Sequence, residues 1–177
     1  LTNPLFISSG NINLTPEYQH SGRLFYMIYD AFSFTSLFLS ANATYTSNNI
    51  IQSREVNPNN FVQTQRPINY KDGSNYSASA TFNTPISRLG IKIRLEFEES
   101  YGLSYSLING QENRLTTNTH AGSVMIENKN KDMFDIAVGT EVSYTDSRYS
   151  VQRAQNAIYV RNTYFADVTL FLSESLE

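Results

Sequence analysis

The sequence predicts an all-β chain, an antiparallel up-and-down meander of about seven long strands. Three observations predict it. The composition favours extended structure: among 177 residues are 12 Tyr and 11 Phe, and only 16% of residues are charged, against roughly 25% in an ordinary globular protein. Apolar and polar residues alternate with period two over stretch after stretch. The connections between those stretches fall into a short and a long class that take turns along the chain.

The first turn lies in SGNINLTPEY (9–18), where Asn and Gly supply tight backbone geometry and Pro16 stiffens the entry into a strand over 18–29. In SFTSLFLSANATYTS (33–47), Leu37, Leu39, Ala41, Ala43 and Tyr45 fall on one face. Ser36, Ser40, Asn42, Thr44 and Thr46 fall on the other, with Phe34 and Phe38 as exceptions. Tyr76, Ala78, Ala80, Phe82 and Ile86 alternate with Asn75, Ser77, Ser79, Thr81 and Asn83. Ile91, Ile93, Leu95, Phe97 and Tyr101 oppose Lys92, Arg94, Glu96 and Glu98. A strand over 115–127 alternates less cleanly, as does that over 18–29. Over 133–145, Phe134, Ile136, Val138, Val142 and Tyr144 oppose Asp135, Ala137, Gly139, Glu141 and Ser143. In the last run Val160, Tyr164, Val168, Leu170 and Leu172 oppose Arg161, Thr163, Asp167 and Thr169.

Strands of 12 to 15 residues exceed the globular mode of about five or six, and suit a strand that crosses a bilayer at about 45° and projects beyond it. Short connections lie at 30–32, 84–90 and 128–132, and long polar ones near 47–73, 106–114 and 146–157. A soluble sandwich demands no such alternation. An outer-membrane barrel does, because tight periplasmic turns alternate there with longer extracellular loops. On this reading the chain is part of a transmembrane β-barrel, and Lys92, Arg94, Glu96, Glu98, Asp135 and Glu141 face its lumen. A mid-membrane Lys or Arg on the lipid side costs roughly 2–4 kcal/mol. A soluble, secreted β-sandwich of lectin-like or adhesin type is the alternative, since its half-buried strands also alternate.

The net charge of −3 leaves no nucleic-acid footprint, and the longest basic cluster is NKNK at 128–131. The absence of Cys excludes a disulfide framework and a thiolate zinc site. His20 and His120 have no metal-ligand spacing, so neither metal nor cofactor is expected. Glu96, Glu98 and Glu99 suggest paired carboxylates, but Lys92 and Arg94 on the same strand make a balanced charge ladder the better reading. No nucleophile, base and orienting group can be named, so an enzyme is not expected. Asn109-Gly110 is a strong turn signal that offers chemistry only through amides able to meet a polar ligand.

GNINLTPEYQHSGRLFY resembles the GN-x-x-L-x-PE-Y segment in the barrels of TonB-dependent outer-membrane receptors. IIQSREV, the RPIN…YSASATFNTPI region and SLINGQEN are similar to the outer-membrane β-barrel family of Bacteroidetes-type bacteria. The resemblance covers about 9–172. It implies location in the bacterial outer membrane and a place in the C-terminal half of a barrel of about 22 strands around a plug. It also implies import of a scarce ligand such as a siderophore, glycan or peptide. The implied partners are outer-membrane lipid, the rest of the barrel and its plug, and an inner-membrane energy-coupling protein reached through other regions.

The chain opens without Met and Glu177 is not a terminal aromatic residue. The expectation is therefore a single partial barrel domain over 1–177, without plug or closing strand, seen as a curled sheet with two open edges. Arg54, Glu55, Arg66, Tyr70, Gln111, Glu112, Arg148, Tyr149 and Arg153 sit in the three long connections and are the candidate extracellular ligand contacts.

Overall fold

A computed structural model describes residues 5–151 and 153–171; Leu172 and Glu177 of the readings above lie outside these residues. Seven long strands form the staves: β2 (Tyr18–Asp30), β3 (Thr35–Ser47), β6 (Gly73–Ile86), β7 (Ile91–Ile108), β8 (Gln111–Asn128), β9 (Phe134–Tyr149) and β10 (Ala157–Leu170). Three short strands, β1 (Phe6–Ser8), β4 (Ile50–Val56) and β5 (Gln63–Asn69), add an extension at one end, and a 3₁₀ turn covers Arg153–Gln155. All ten strands belong to one sheet. The staves run in the order β2-β3-β6-β7-β8-β9-β10, every neighbouring pair antiparallel. Among the described residues β2 and β10 do not pair with each other, so the sheet is an open curl with two edges.

Register carries the alternation of single strands across the whole sheet, because residues opposite one another share a face. One such row reads Tyr26, Leu39, Ala80, Phe97, Gly122, Val142 and Asn162. The next reads Ile28, Leu37, Phe82, Leu95, Val124, Thr140 and Tyr164, so one face is an apolar band across seven strands. The opposite face carries hydroxyls, amides and charges.

No second sheet covers the apolar band. A sandwich would bury Leu37, Leu95 and Val138 between layers, yet Leu95 is 41% and Val138 44% exposed. Ile51 is the single buried hydrophobic side chain among the described residues. A soluble monomer does not leave so large an apolar surface in water. The band is thus left uncovered by protein among the described residues, while the backbone of the inner staves is paired in ladders along the sheet.

Two of the three long connections are largely strand, and the third is shortened to 150–156. Residues 50–69 form the β4–β5 hairpin, 106–114 is the junction of two 18-residue strands across Asn109-Gly110, and β9 continues to Tyr149. Both Asn109 (φ 49°) and Gly110 (φ 74°) adopt the left-handed backbone of a two-residue hairpin turn. The short connections, 31–34, 87–90 and 129–133, lie at the other end. The connections themselves do not alternate in length, since the two-residue Asn109-Gly110 turn is shorter than any at the other end; strands that extend further at this end fill the segments read as long connections.

The β4–β5 extension is also crossed. Below it the order is β2-β3-β6-β7; within it, β1-β5-β4-β7, with Ser53 and Arg54 of β4 paired in parallel to Leu107 and Ile108 of β7. β3 must therefore cross under the chain that enters β6. Tyr70 N–H donates to the Asn49 carbonyl at 2.8 Å at this point. Gly73 is buried beneath it: a β-carbon there would lie 3.0 Å from Asn49 Nδ2 and 3.4 Å from the Leu103 carbonyl.

The opening turn clamps this extension. Asn11 Nδ2 donates to the Pro67 carbonyl at 3.0 Å, Thr15 N–H to Asn69 Oδ1 at 2.8 Å, and Ile50 N–H to the Glu17 carboxylate at 2.9 Å. Asn48 Nδ2 donates to the Pro16 carbonyl at 2.9 Å. Asn11, Pro16 and Glu17 thus hold the entry of an edge stave against the crossing.

Candidate ligand-facing rim and inner wall

From Ile91 to Tyr101 the outward residues of β7 are Ile91, Ile93, Leu95, Phe97, Glu99 and Tyr101. Ten steps of about 3.3 Å at a tilt of about 40° rise on the order of 25 Å, the height of a barrel's apolar band. Tyr101 stacks on Tyr76 at 6.0 Å between ring centroids, and with Tyr45 and Tyr144 on the same face they form an aromatic girdle. Everything from Gly102 to the Asn109-Gly110 turn projects past it. This rim is the end of the sheet opposite the connections at 31–34, 87–90 and 129–133.

The inner wall is polar and cross-linked. Ser40 and Ser79 hydroxyls pair at 2.8 Å, Thr119 and Thr145 at 3.1 Å, and Asn83 Nδ2 donates to Ser36 Oγ at 3.1 Å. The six residues read as lumen-facing, Lys92, Arg94, Glu96, Glu98, Asp135 and Glu141, share this face by register. Arg94 Nε donates to Asn83 Oδ1 at 2.9 Å, Ser123 Oγ to Glu96 at 3.2 Å, and Lys131 Nζ to Asp135 at 2.8 Å. Glu99 does not join them. It points to the apolar face and shares a 2.6 Å hydrogen bond with His120 Nδ1, so three adjacent carboxylates never converge. Phe25 and Phe38, 6.0 Å apart, are an aromatic spot on the otherwise wet face, with the Arg23 guanidinium 5.6 Å from the Phe25 ring centroid.

Of the nine candidate contacts, only Tyr70 and Arg153 lie outside strands. Arg54 and Glu55 are in β4 and Arg66 in β5, opposite Ser53. Gln111 opens β8 opposite Ile108, Tyr149 ends β9 opposite Leu115, and Arg148 faces Thr116 while binding Asp146 at 2.8 Å. Arg153 Nε donates to the Ser150 carbonyl at 3.4 Å. The nine form no single site. One pair does meet: Tyr70 OH donates to Glu112 Oε2 at 2.7 Å, where Lys71 Nζ also arrives at 2.5 Å. Lys71 Nζ lies 5.8 Å from the ring centroids of both Tyr70 and Tyr105. The Lys71 ammonium, then the Tyr70 hydroxyl, hold the Glu112 carboxyl below the usual carboxylate range. Glu112 in turn raises the Lys71 ammonium and the Tyr70 phenol. This cluster stands on the outward side of the rim, above the girdle.

Residue-by-residue reading missed Lys71, Asp72 and Tyr105. Asp72 accepts from Tyr45 OH and, at 3.0 Å, from Asn48 N–H, so it pins the crossing. The sequence YKDG at 70–73 carries a turn signal, but nothing in it announces partners more than twenty residues away. Among the described residues no group of three or more His, Asp or Glu side chains is placed to hold a metal ion.

The sequence profile of the Outer membrane protein beta-barrel family matches residues 1–170. No curated protein and no solved structure matches the chain. An open antiparallel curl, an apolar outer band below an aromatic girdle, a wet inner face and a family match over nearly the whole length agree, and the chain belongs to the outer membrane protein beta-barrel family, with its place in the bacterial outer membrane.

Proposed function

We propose that the chain is a wall segment of a TonB-dependent receptor that imports a scarce ligand through the outer membrane. The observation that carries this reading is the GNINLTPEY segment, whose Asn11, Pro16 and Glu17 match the receptor-barrel pattern and clamp the entry to β2. The open curl supports it as well. Six spacings of about 4.8 Å between seven staves make an arc whose edges stay unpaired, as expected of part of a wide barrel. Its role is a hydrated conduit wall and a ligand-facing rim, not catalysis. The partners are outer-membrane lipid on the apolar band, the remaining strands at the β2 and β10 edges, a plug against the inner face, and an inner-membrane energy-coupling protein reached through other regions.

The test is uptake by cells carrying or lacking the gene, with and without the inner-membrane coupling protein. Import of a labelled siderophore, oligosaccharide or peptide that needs both is the expected result. Uptake that needs the gene but continues without the coupling protein overturns the reading.

A further inference from the structure

At the end of the sheet that carries the connections 31–34, 87–90 and 129–133, the inner face holds an open cleft of ≈ 480 Å³. Tyr29, Phe34, Lys92, Arg94, Glu127 and Lys129 are among its lining residues. Register gathers them: Asn83 lies opposite Ser36 and Arg94, and Lys92 lies between Pro85 and Glu127. Lys92, Arg94 and Lys129 against the Glu127 carboxylate leave two positive charges in excess. The protein does not absorb them. Lys131 Nζ takes the Glu127 carboxylate at 3.1 Å, while Lys92 Nζ stands 3.8 Å from it. Lys129 Nζ donates to a neutral group, Ser87 Oγ, at 3.3 Å. Glu96, the next carboxylate along β7, accepts from Ser123 Oγ at 3.2 Å.

Arg94 is aimed as well as unpaired. Its Nε donates to Asn83 Oδ1 at 2.9 Å, and Asn83 Nδ2 donates to Ser36 Oγ at 3.1 Å. A neutral chain across three strands thus sets the guanidinium plane, and its terminal Nη groups have no protein partner among the described residues. That free edge offers parallel donors to an oxyanion. Phe34 is an independent observation. It lines the same cleft at φ 55°, a backbone conformation that costs a bulky residue energy and that Gly would take readily. It is 63% exposed, so folding gains little from an aromatic residue there.

We infer that this cleft binds a phosphate monoester whose organic part is a planar ring. The phosphate oxygens meet the Arg94 fork and the Lys92 and Lys129 ammonium groups, and the ring lies against Phe34 and Tyr29. A phosphate monoester carries close to two negative charges above its second ionisation, which matches the excess in the cleft. A carboxylate brings one charge, and a neutral solute leaves the cations without a partner. Phosphate binding on this inner wall goes beyond import and requires no part of that reading.

The test is calorimetric titration of the full chain, folded in detergent at about pH 8, with phenyl phosphate, inorganic phosphate, benzoate and phenol. Phenyl phosphate should bind about tenfold or more tightly than benzoate, and phenol should not bind. Arg94→Gln should weaken phenyl phosphate by about tenfold or more. Phe34→Gly, which relieves the backbone, should weaken phenyl phosphate by about three- to tenfold and leave inorganic phosphate unchanged. Heat-modified gel mobility should show both variants folded. Failure of phenyl phosphate to bind, equal binding of benzoate, or parent-like binding of phenyl phosphate by either variant overturns the inference. Titration needs no energised membrane, so a failure of the import reading leaves these outcomes unchanged.

Discussion

Glu99 of β7 and His120 of β8 face each other in register and share a 2.6 Å hydrogen bond on the apolar side of the sheet. The pair lies one outward step below Tyr101 and beside Tyr144, whose ring is 5.9 Å from that of His120. Its position at the upper boundary of the band lets two polar groups satisfy each other where water is scarce. Replacing only one leaves its partner unsatisfied, whereas replacing both removes the demand. His120→Leu should therefore lower unfolding stability in bilayers by about 1 kcal/mol, and Glu99→Leu/His120→Leu should recover most of it. Urea titration of tyrosine fluorescence measures both, and a double variant weaker than the single one contradicts the pairing.

Placement of the two faces is testable by charge. Leu39 lies in the lipid-facing row with Phe97, while Thr81 on the neighbouring strand points to the wet face. Leu39→Arg should cost roughly 2–4 kcal/mol and Thr81→Arg less than about 1 kcal/mol, read from the same titration. Equal costs would mean that the faces are misassigned.

Gly139 lies under the Phe165 ring on the inner face, and a β-carbon there would also come within 2.7 Å of the Val124 carbonyl. Gly139→Ala should destabilise by about 1–3 kcal/mol. Phe165→Leu should rescue it only in part, because the ring can be trimmed but the backbone carbonyl of β8 cannot move without its ladder. Complete rescue would assign the whole strain to the ring.

The Lys71–Glu112 contact predicts a pH profile. Because the folded Glu112 carboxyl titrates below its ordinary range, the contribution is present above the unfolded value of roughly 4.3 and is lost as pH falls through the lower, folded one. Lys71 is raised, so its share is present below roughly 10.4 and is lost as pH rises through its folded value. The difference in urea midpoint between the parent chain and Glu112→Gln should be flat from about pH 5 to 10 and shrink at both ends. A difference that persists unchanged to pH 2 would mean that the carboxylate's charge is not what stabilises the rim.

How much of this was legible depended on what each segment touches. Ile91 to Phe97 has lipid on one side and water on the other, so the period-two signal is full strength and both faces could be read. In β2 the run LFYMIY (24–29) is apolar on both faces, because Phe25, Met27 and Tyr29 join Phe38 on the inner side, and its alternation vanishes. Phe38, an exception in the sequence, thereby has a partner. Residues 47–73 and 106–114 read as long connections for the opposite reason. Strands that project beyond the membrane meet water on both faces, so nothing in their polarity alternates. Glu99 breaks the pattern of β7 because its hydrogen-bond partner stands twenty-one residues away.

The sequence by itself determined the class of sheet, the seven staves and the greasy and wet faces, since each follows from how one strand divides between an apolar and a polar side; the compartment came from the family resemblance. Only the tertiary structure decided the crossing beneath Tyr70, the meeting of Lys71 and Tyr70 on Glu112, and the inner cleft of Phe34, Arg94 and Lys129. Those depend on register and on which strand lies beside which, and a period of two carries no information about either.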